Sequence, residues 1–191
     1  MHYMRFLLCF LVLSSLAWAD RIPMANGKSP NGKLCLAMTG SGSEAHLEIS
    51  DAKTKSVIGS IDVSSYAVFP FVANPDNTVC LWAPDSTHFI LMVRSTKRTW
   101  DVSIYSVQPR VRKLPIPDLT AFALAALHEE SNFRWSRETP LQWHDATHVI
   151  LRLEGDCGTP PNVLLYSGEV SVCIDGKVTL KAPFKTEKEE G

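Results

Sequence analysis

Past its first twenty residues the chain has no apolar run long enough to cross a bilayer, no surplus of either charge and no C-x-x-C pair. The first absence excludes a spanning helix in the mature body, since one needs about 20 apolar residues. Lys and Arg number 19 against 20 Asp and Glu, which leaves no basic footprint for nucleic acid or an anionic membrane. Without C-x-x-C, neither thioredoxin-type redox chemistry nor a zinc knuckle is signalled. There is no Walker loop and no dinucleotide fingerprint. Gly40-Ser41-Gly42-Ser43 lacks the G-x-S-x-G order of a nucleophile elbow and reads as a hairpin tip. His128-Glu129-Glu130 lacks the second histidine of a zincin. His144 and His148 alone fall short of the three or four ligands zinc needs. No cofactor or metal is expected.

What the chain does have starts at its first residue. Met1–Arg5 carries one cation, Phe6–Leu16 is uncharged, and Ala17-Trp18-Ala19 puts small residues where a signal peptidase reads. That pattern predicts a signal peptide over 1–19 and a periplasmic or extracellular mature chain. Losing Arg5 leaves 18 basic against 20 acidic residues, a net charge of −2. Residues 20–182 suffice for one compact domain, and the charged residues 183–191 read as a flexible tail. Cys9 departs with the signal, leaving Cys35, Cys80, Cys157 and Cys173. An even number in an exported chain fits disulfides. The shortest loop favours Cys157–Cys173, with Cys35–Cys80 as the remainder; four buried thiols are the alternative.

The informative signal is an internal repeat. Trp82 opens WAPDSTHFILMV and Trp143 opens WHDATHVILRL. With one gap, Asp85, Thr87, His88, Ile90 and Leu91 match Asp145, Thr147, His148, Ile150 and Leu151. A fainter copy, SPNGKLCLAM, starts at Ser29 with Asn31-Gly32 in its turn. Self-similar segments at near-regular spacing mark a repeat architecture. Each copy runs a short apolar strand into a Pro/Asp/Asn/Gly turn and then a β-branched strand, over about 29–63, 78–116 and 141–181. The expected third-copy strands are Leu141–Trp143, His148–Leu153, Glu169–Ile174 and Val178–Lys181, with Asp175-Gly176 as a two-residue hairpin turn. In the second copy Phe89, Leu91 and Val93 share one strand face and Ile90 and Met92 the other, so that sheet is expected to be covered on both sides.

The W-x-P-D-turn-strand pattern resembles the TolB-type β-propeller blade, a repeat common in exported bacterial proteins. The resemblance is clearest over Thr78–Ile116, partial over Leu141–Lys181 and faintest over Ser29–Val63. It implies stacked four-stranded blades. Ser86 and Ala146 stand where the family usually has a glycine after the turn aspartate. Three units also fall short of the roughly four to eight blades that close a propeller. The fold class expected is therefore all-β, mainly antiparallel, with one amphipathic helix. Its three blade-like units form an open stack, a ring completed by self-association, or an irregular sandwich.

The helix follows Pro117, with Asp118 as N-cap and an apolar stripe of Leu119, Phe122, Ala123, Ala126 and Leu127, ending near Asn132. Its expected role is to plug an open sheet edge or one end of the core. Arg94, Lys97, Arg98, Arg110, Arg112 and Lys113 concentrate positive charge, and Lys97, Arg98, Arg110 and Arg112 are the candidate binding residues. Phe133-Arg134-Trp135 offers an arginine between two aromatics, a pattern suited to ligand stacking. The function expected is a non-enzymatic binding or scaffold module for an acidic protein or envelope glycan. The alternative is an exported hydrolase or lyase, with a site formed by the repeat-related His88, His148, Asp85 and Asp145.

Overall fold

The computed structural model describes residues 21–40, 44–63, 78–96, 98–129 and 132–188, and they form three successive antiparallel meanders. The first is a four-stranded sheet, β1 (Ile22–Lys28), β2 (Leu34–Thr39), β3 (His46–Asp51) and β4 (Val57–Asp62). The second comprises β5 (Thr78–Trp82), β6 (His88–Arg94), β7 (Thr99–Ser106) and the short β8 (Arg112–Lys113). Helix α1 (Leu119–Leu127) follows. The third meander is β9 (Ser136–Trp143), β10 (His148–Cys157), β11 (Leu164–Cys173) and β12 (Val178–Leu180), with β13 (Lys185–Lys188) also on β11. Strand pairing joins the second and third meanders through one brief parallel contact, Thr99 with Ser136 and Trp100 with Arg137. Among the described residues the fold is all-β with a single helix, and the sheets do not close into a barrel.

Burial explains the layering. Phe89, Leu91 and Val93 of β6 enter one core with Leu36, Leu47 and Ile49 of the first sheet. Ile90 and Met92, on the other face, enter a second core with Val149, Leu151 and Val170. The middle meander is thus covered on both sides, as its two apolar faces demand. Phe89, Ile90 and Leu91 are each at most 1% exposed. Burials of this kind contribute about 1.5–3 kcal/mol apiece.

The repeat has a hydrogen-bond basis. Asn31, Asp85 and Asp145 each accept the backbone N–H two residues on, at 2.9, 3.0 and 2.7 Å, the same Asx turn three times. Trp82 donates its indole N–H to the Gly27 carbonyl at 3.2 Å, and Trp143 donates to Leu81 at 3.0 Å. Gly27 and Leu81 each lie four residues before their own turn residue, Asn31 and Asp85. Each tryptophan therefore ties its meander to the equivalent point of the one before. Ser86 takes a left-handed φ of 63°, where the resemblance leads one to expect glycine. Its hydroxyl accepts the Asn31 N–H at 3.1 Å, a bond between turns that glycine could not make.

Several expectations are corrected. The first meander gains β1, which the Pro23 and Asn26 irregularities hide from any alternation pattern; its pairing with β2 is bulged between Pro23 and Lys28. Strand β9 starts at Ser136 rather than Leu141. The turn around Asp175-Gly176 holds three residues, because Cys173 N–H bonds the Lys177 carbonyl and Gly176 supplies the left-handed φ of 90°. Helix α1 ends at His128, whose φ of 59° terminates it before Asn132. Its buried stripe is Leu119, Ala123 and Leu124; Ala126 faces outward. The segment read as a tail contains β13, anchored by Phe184, whose ring meets Tyr166 edge-on at 5.7 Å.

The disulfide expectation also fails. Cys157 pairs with Leu164 and Cys173 with His148, so the two thiols sit at opposite ends of a ten-residue hairpin, about 30 Å apart at ~3.3 Å per residue. A bridge needs Cα atoms within about 7 Å. Cys35 points away from Leu34 and Leu36, which pack in the core that holds Cys80. All four thiols are free, and burial pushes Cys80 up to about 12.

Candidate functional site

The repeat-related turns hold the residues of the alternative, catalytic reading. Asp85 accepts from the Thr87 backbone at 3.0 Å and hydroxyl at 2.6 Å. Asp145 accepts from the Thr147 backbone and hydroxyl at 2.7 and 2.8 Å and from the His148 backbone at 2.8 Å. Those Thr147 bonds hold the Asp145 carboxyl well below the usual range. Burial lowers the His88 pKa and Arg112 adds to this, against Asp85. Each aspartate is spent within its own turn. Among the described residues, no group of three or more His, Cys, Asp or Glu is arranged to hold a metal.

The candidate basic residues divide between two ends of a strand. Arg98 immediately precedes β7, whereas Arg110 follows it and Arg112 pairs with Ser106 at its far end. Eight residues of strand, about 26 Å at ~3.3 Å each, separate the two groups. Lys97 lies outside the described residues. Arg110 and Arg112 are exposed.

At the Arg98 end the structure brings two sequence signals together. Arg98, Trp100, Arg134 and Trp135 line one groove of about 420 Å³. Arg94 and Arg137 stand over the Trp100 ring, 4.7 and 5.2 Å from its centroid, within cation–π range. The loop carrying Arg134 and Trp135 is fixed from beneath by Asp156, which is 1% exposed. Its Oδ1 accepts both backbone N–H groups at 2.7 and 3.0 Å, and its Oδ2 meets the Arg134 guanidinium. Burial alone would raise the Asp156 pKa; these donors outweigh it and hold the carboxyl below its usual range. A charged buried anchor of this kind keeps the groove walls in place without a metal.

A second cavity lies beside this groove, and the residue that defines it was not a candidate from sequence. After Trp100 and Arg137, strands β7 and β9 splay apart, and the Val102 N–H is met by the Glu138 side chain at 2.9 Å instead of a main-chain carbonyl. The wedge opens into a cleft of about 860 Å³ closed by residues 113–119 and Thr120. Glu138 is 8% exposed. Burial raises its pKa to about 8, opposed by the Val102 bond and assisted by Asp101 and Asp118. The signal for Glu138 was an alternation, Ser136, Glu138 and Pro140 inward against Arg137 and Thr139; a polar inward face conceals a strand.

These features define a class: an all-β stack of three meanders whose candidate binding features sit at the β6–β7 hairpin end. No protein-family model and no curated protein matches the chain. Among solved structures it is similar to the crystal structure of TolB from Acinetobacter baumannii, at 14% identity over 86% of this chain, with a TM-score of 0.39. The chain spans 33% of that TolB chain's length. Similarity at that level assigns no role to this chain.

Proposed function

We propose that this protein is a non-enzymatic binding module that works outside the cytoplasm and captures an acidic partner in the groove of Arg98, Trp100, Arg134 and Trp135. The observation that carries the reading is the convergence of guanidinium and indole groups on one cavity. Arginine forks suit carboxylate or sulfate groups, and indole faces add apolar contact at little entropic cost. The signal-like first nineteen residues support export. No helix among the described residues is long and apolar enough to cross a membrane.

Heparin serves as an anionic probe. On an immobilised heparin column, Arg98→Glu should elute at clearly lower salt than the wild type, and Arg110→Glu should elute with it. Equal elution of Arg98→Glu and wild type would remove the groove as the site. A shift confined to Arg110→Glu would move the site to the opposite end of β7.

A further inference from the structure

The cleft beside the groove has the opposite electrostatic character, and nothing in the proposed function uses it. Among the described residues three carboxyl groups face it, Glu138 at its depth and Asp101 and Asp118 at its exposed rim, against the single ammonium of Lys113. Leu114, Ile116 and Phe133 supply an apolar wall. One Glu138 oxygen takes the Val102 N–H; the other has no hydrogen-bond partner among the described residues, and Glu138 lines the cavity. A largely buried carboxyl with one oxygen free of protein partners leaves that oxygen available to a donor arriving through the cavity.

We propose that this cleft binds an organic cation, a primary ammonium on a short apolar stem, with the ammonium against Glu138 and the stem along Leu114, Ile116 and Phe133. An anion is disfavoured by Asp101 and Asp118 at the entrance. A neutral ligand would leave that negative rim uncompensated. The groups facing Glu138 are Asp101 from β7, Lys113 and Asp118 from the closing segment, and Tyr166 from β11. Burial raises the Tyr166 pKa further above its usual value, so it stays protonated throughout. With burial raising its pKa to about 8, Glu138 keeps its proton at neutral pH; an ammonium pairs with the ionised form. Binding therefore expels a proton to solvent, and no other bond is made or broken.

Isothermal titration calorimetry with benzylamine tests this, with benzyl alcohol and benzoate as controls. Benzylamine should bind, tightening about tenfold per pH unit below pH ~8 and levelling above it until the amine itself loses its proton. Heats measured in phosphate and Tris should differ by the release of nearly one proton. Glu138→Gln, which keeps the shape and an acceptor for Val102, should abolish both binding and proton release. Asp101→Asn, at an exposed position, should weaken binding a few-fold without disturbing the fold. Absence of benzylamine binding at every pH overturns the proposal, as does equal binding of benzyl alcohol, which marks a neutral-ligand site. Unchanged affinity in Glu138→Gln overturns it too. None of these outcomes depends on Arg98, so the two sites are tested separately.

Discussion

Trp82 and Trp143 donate their indole N–H groups to carbonyls at equivalent points of the preceding meander. A hydrogen bond of this sort contributes about 1 kcal/mol net, and its loss also strands a carbonyl. Trp143→Phe keeps most of the ring and removes the donor. Its urea midpoint should fall by the equivalent of about 1–2 kcal/mol, and Trp82→Phe should fall by a similar amount. If Trp143→Phe unfolds at the wild-type midpoint, the indole bond is not what joins the second and third meanders. Ser86 adds a link of another kind. Its left-handed backbone is strained for a residue with a Cβ, and the cross-meander bond to Asn31 offsets that strain.

At the scale of elements, β13 shows how little a strand's own composition need contribute. Its four residues, Lys-Thr-Glu-Lys, are all exposed, and its neighbour Phe184 provides the attachment. Gly168 leaves the space: a Cβ there would overlap the Phe184 ring, just as one at Gly155 would overlap Tyr166. Phe184→Ala should therefore release β13 alone. Hydrogen exchange would show residues 185–188 losing protection while β10 keeps its own; retained protection at 185–188 would mean the backbone pairs with β11 suffice. The same contrast explains what was legible in the sequence. β6 could be read because Phe89 to Val93 is apolar on both faces, and the turns could be read because Asp85 and Asp145 each precede Thr-His. β13 carries no apolar residue, β1 is broken by Pro23 and Asn26, and the inward face of β9 begins with Ser136 and Glu138. Pattern reading looks for apolar residues facing in, so it passes over strands that build a polar cavity or lean on a neighbour's ring. The groove was half legible: Arg98 and Phe133-Arg134-Trp135 stood out separately, and only the brief β7–β9 pairing makes them adjacent.

For the whole molecule, two buried carboxyls with opposite pKa shifts set the pH range of stability. Asp156 is held below its usual range by Arg134 and Trp135. A depressed carboxylate stabilises the fold above its unfolded pKa, and that contribution is lost as pH falls through the folded value. Glu138 works the other way. Its pKa lies near 8 in the fold against 4.5 when unperturbed, so across that window the native state keeps a proton the unfolded chain has released. Stability from this group must then decline as pH rises, levelling off above about 8. The two together place the most stable condition on the acidic side of neutrality, although the near-balanced net charge gives no hint of it. Urea midpoints taken from about pH 5 to about pH 8.5 should fall for the wild type relative to Glu138→Gln, whose curve keeps only the rise from the lowered His88 pKa. Both proteins should still lose stability in stronger acid, because Asp156 is untouched. Parallel curves for the two proteins above pH ~5 would show that Glu138 ionises in the fold as readily as in water. In that event the cleft between β7 and β9 admits enough water to solvate the Glu138 carboxylate fully.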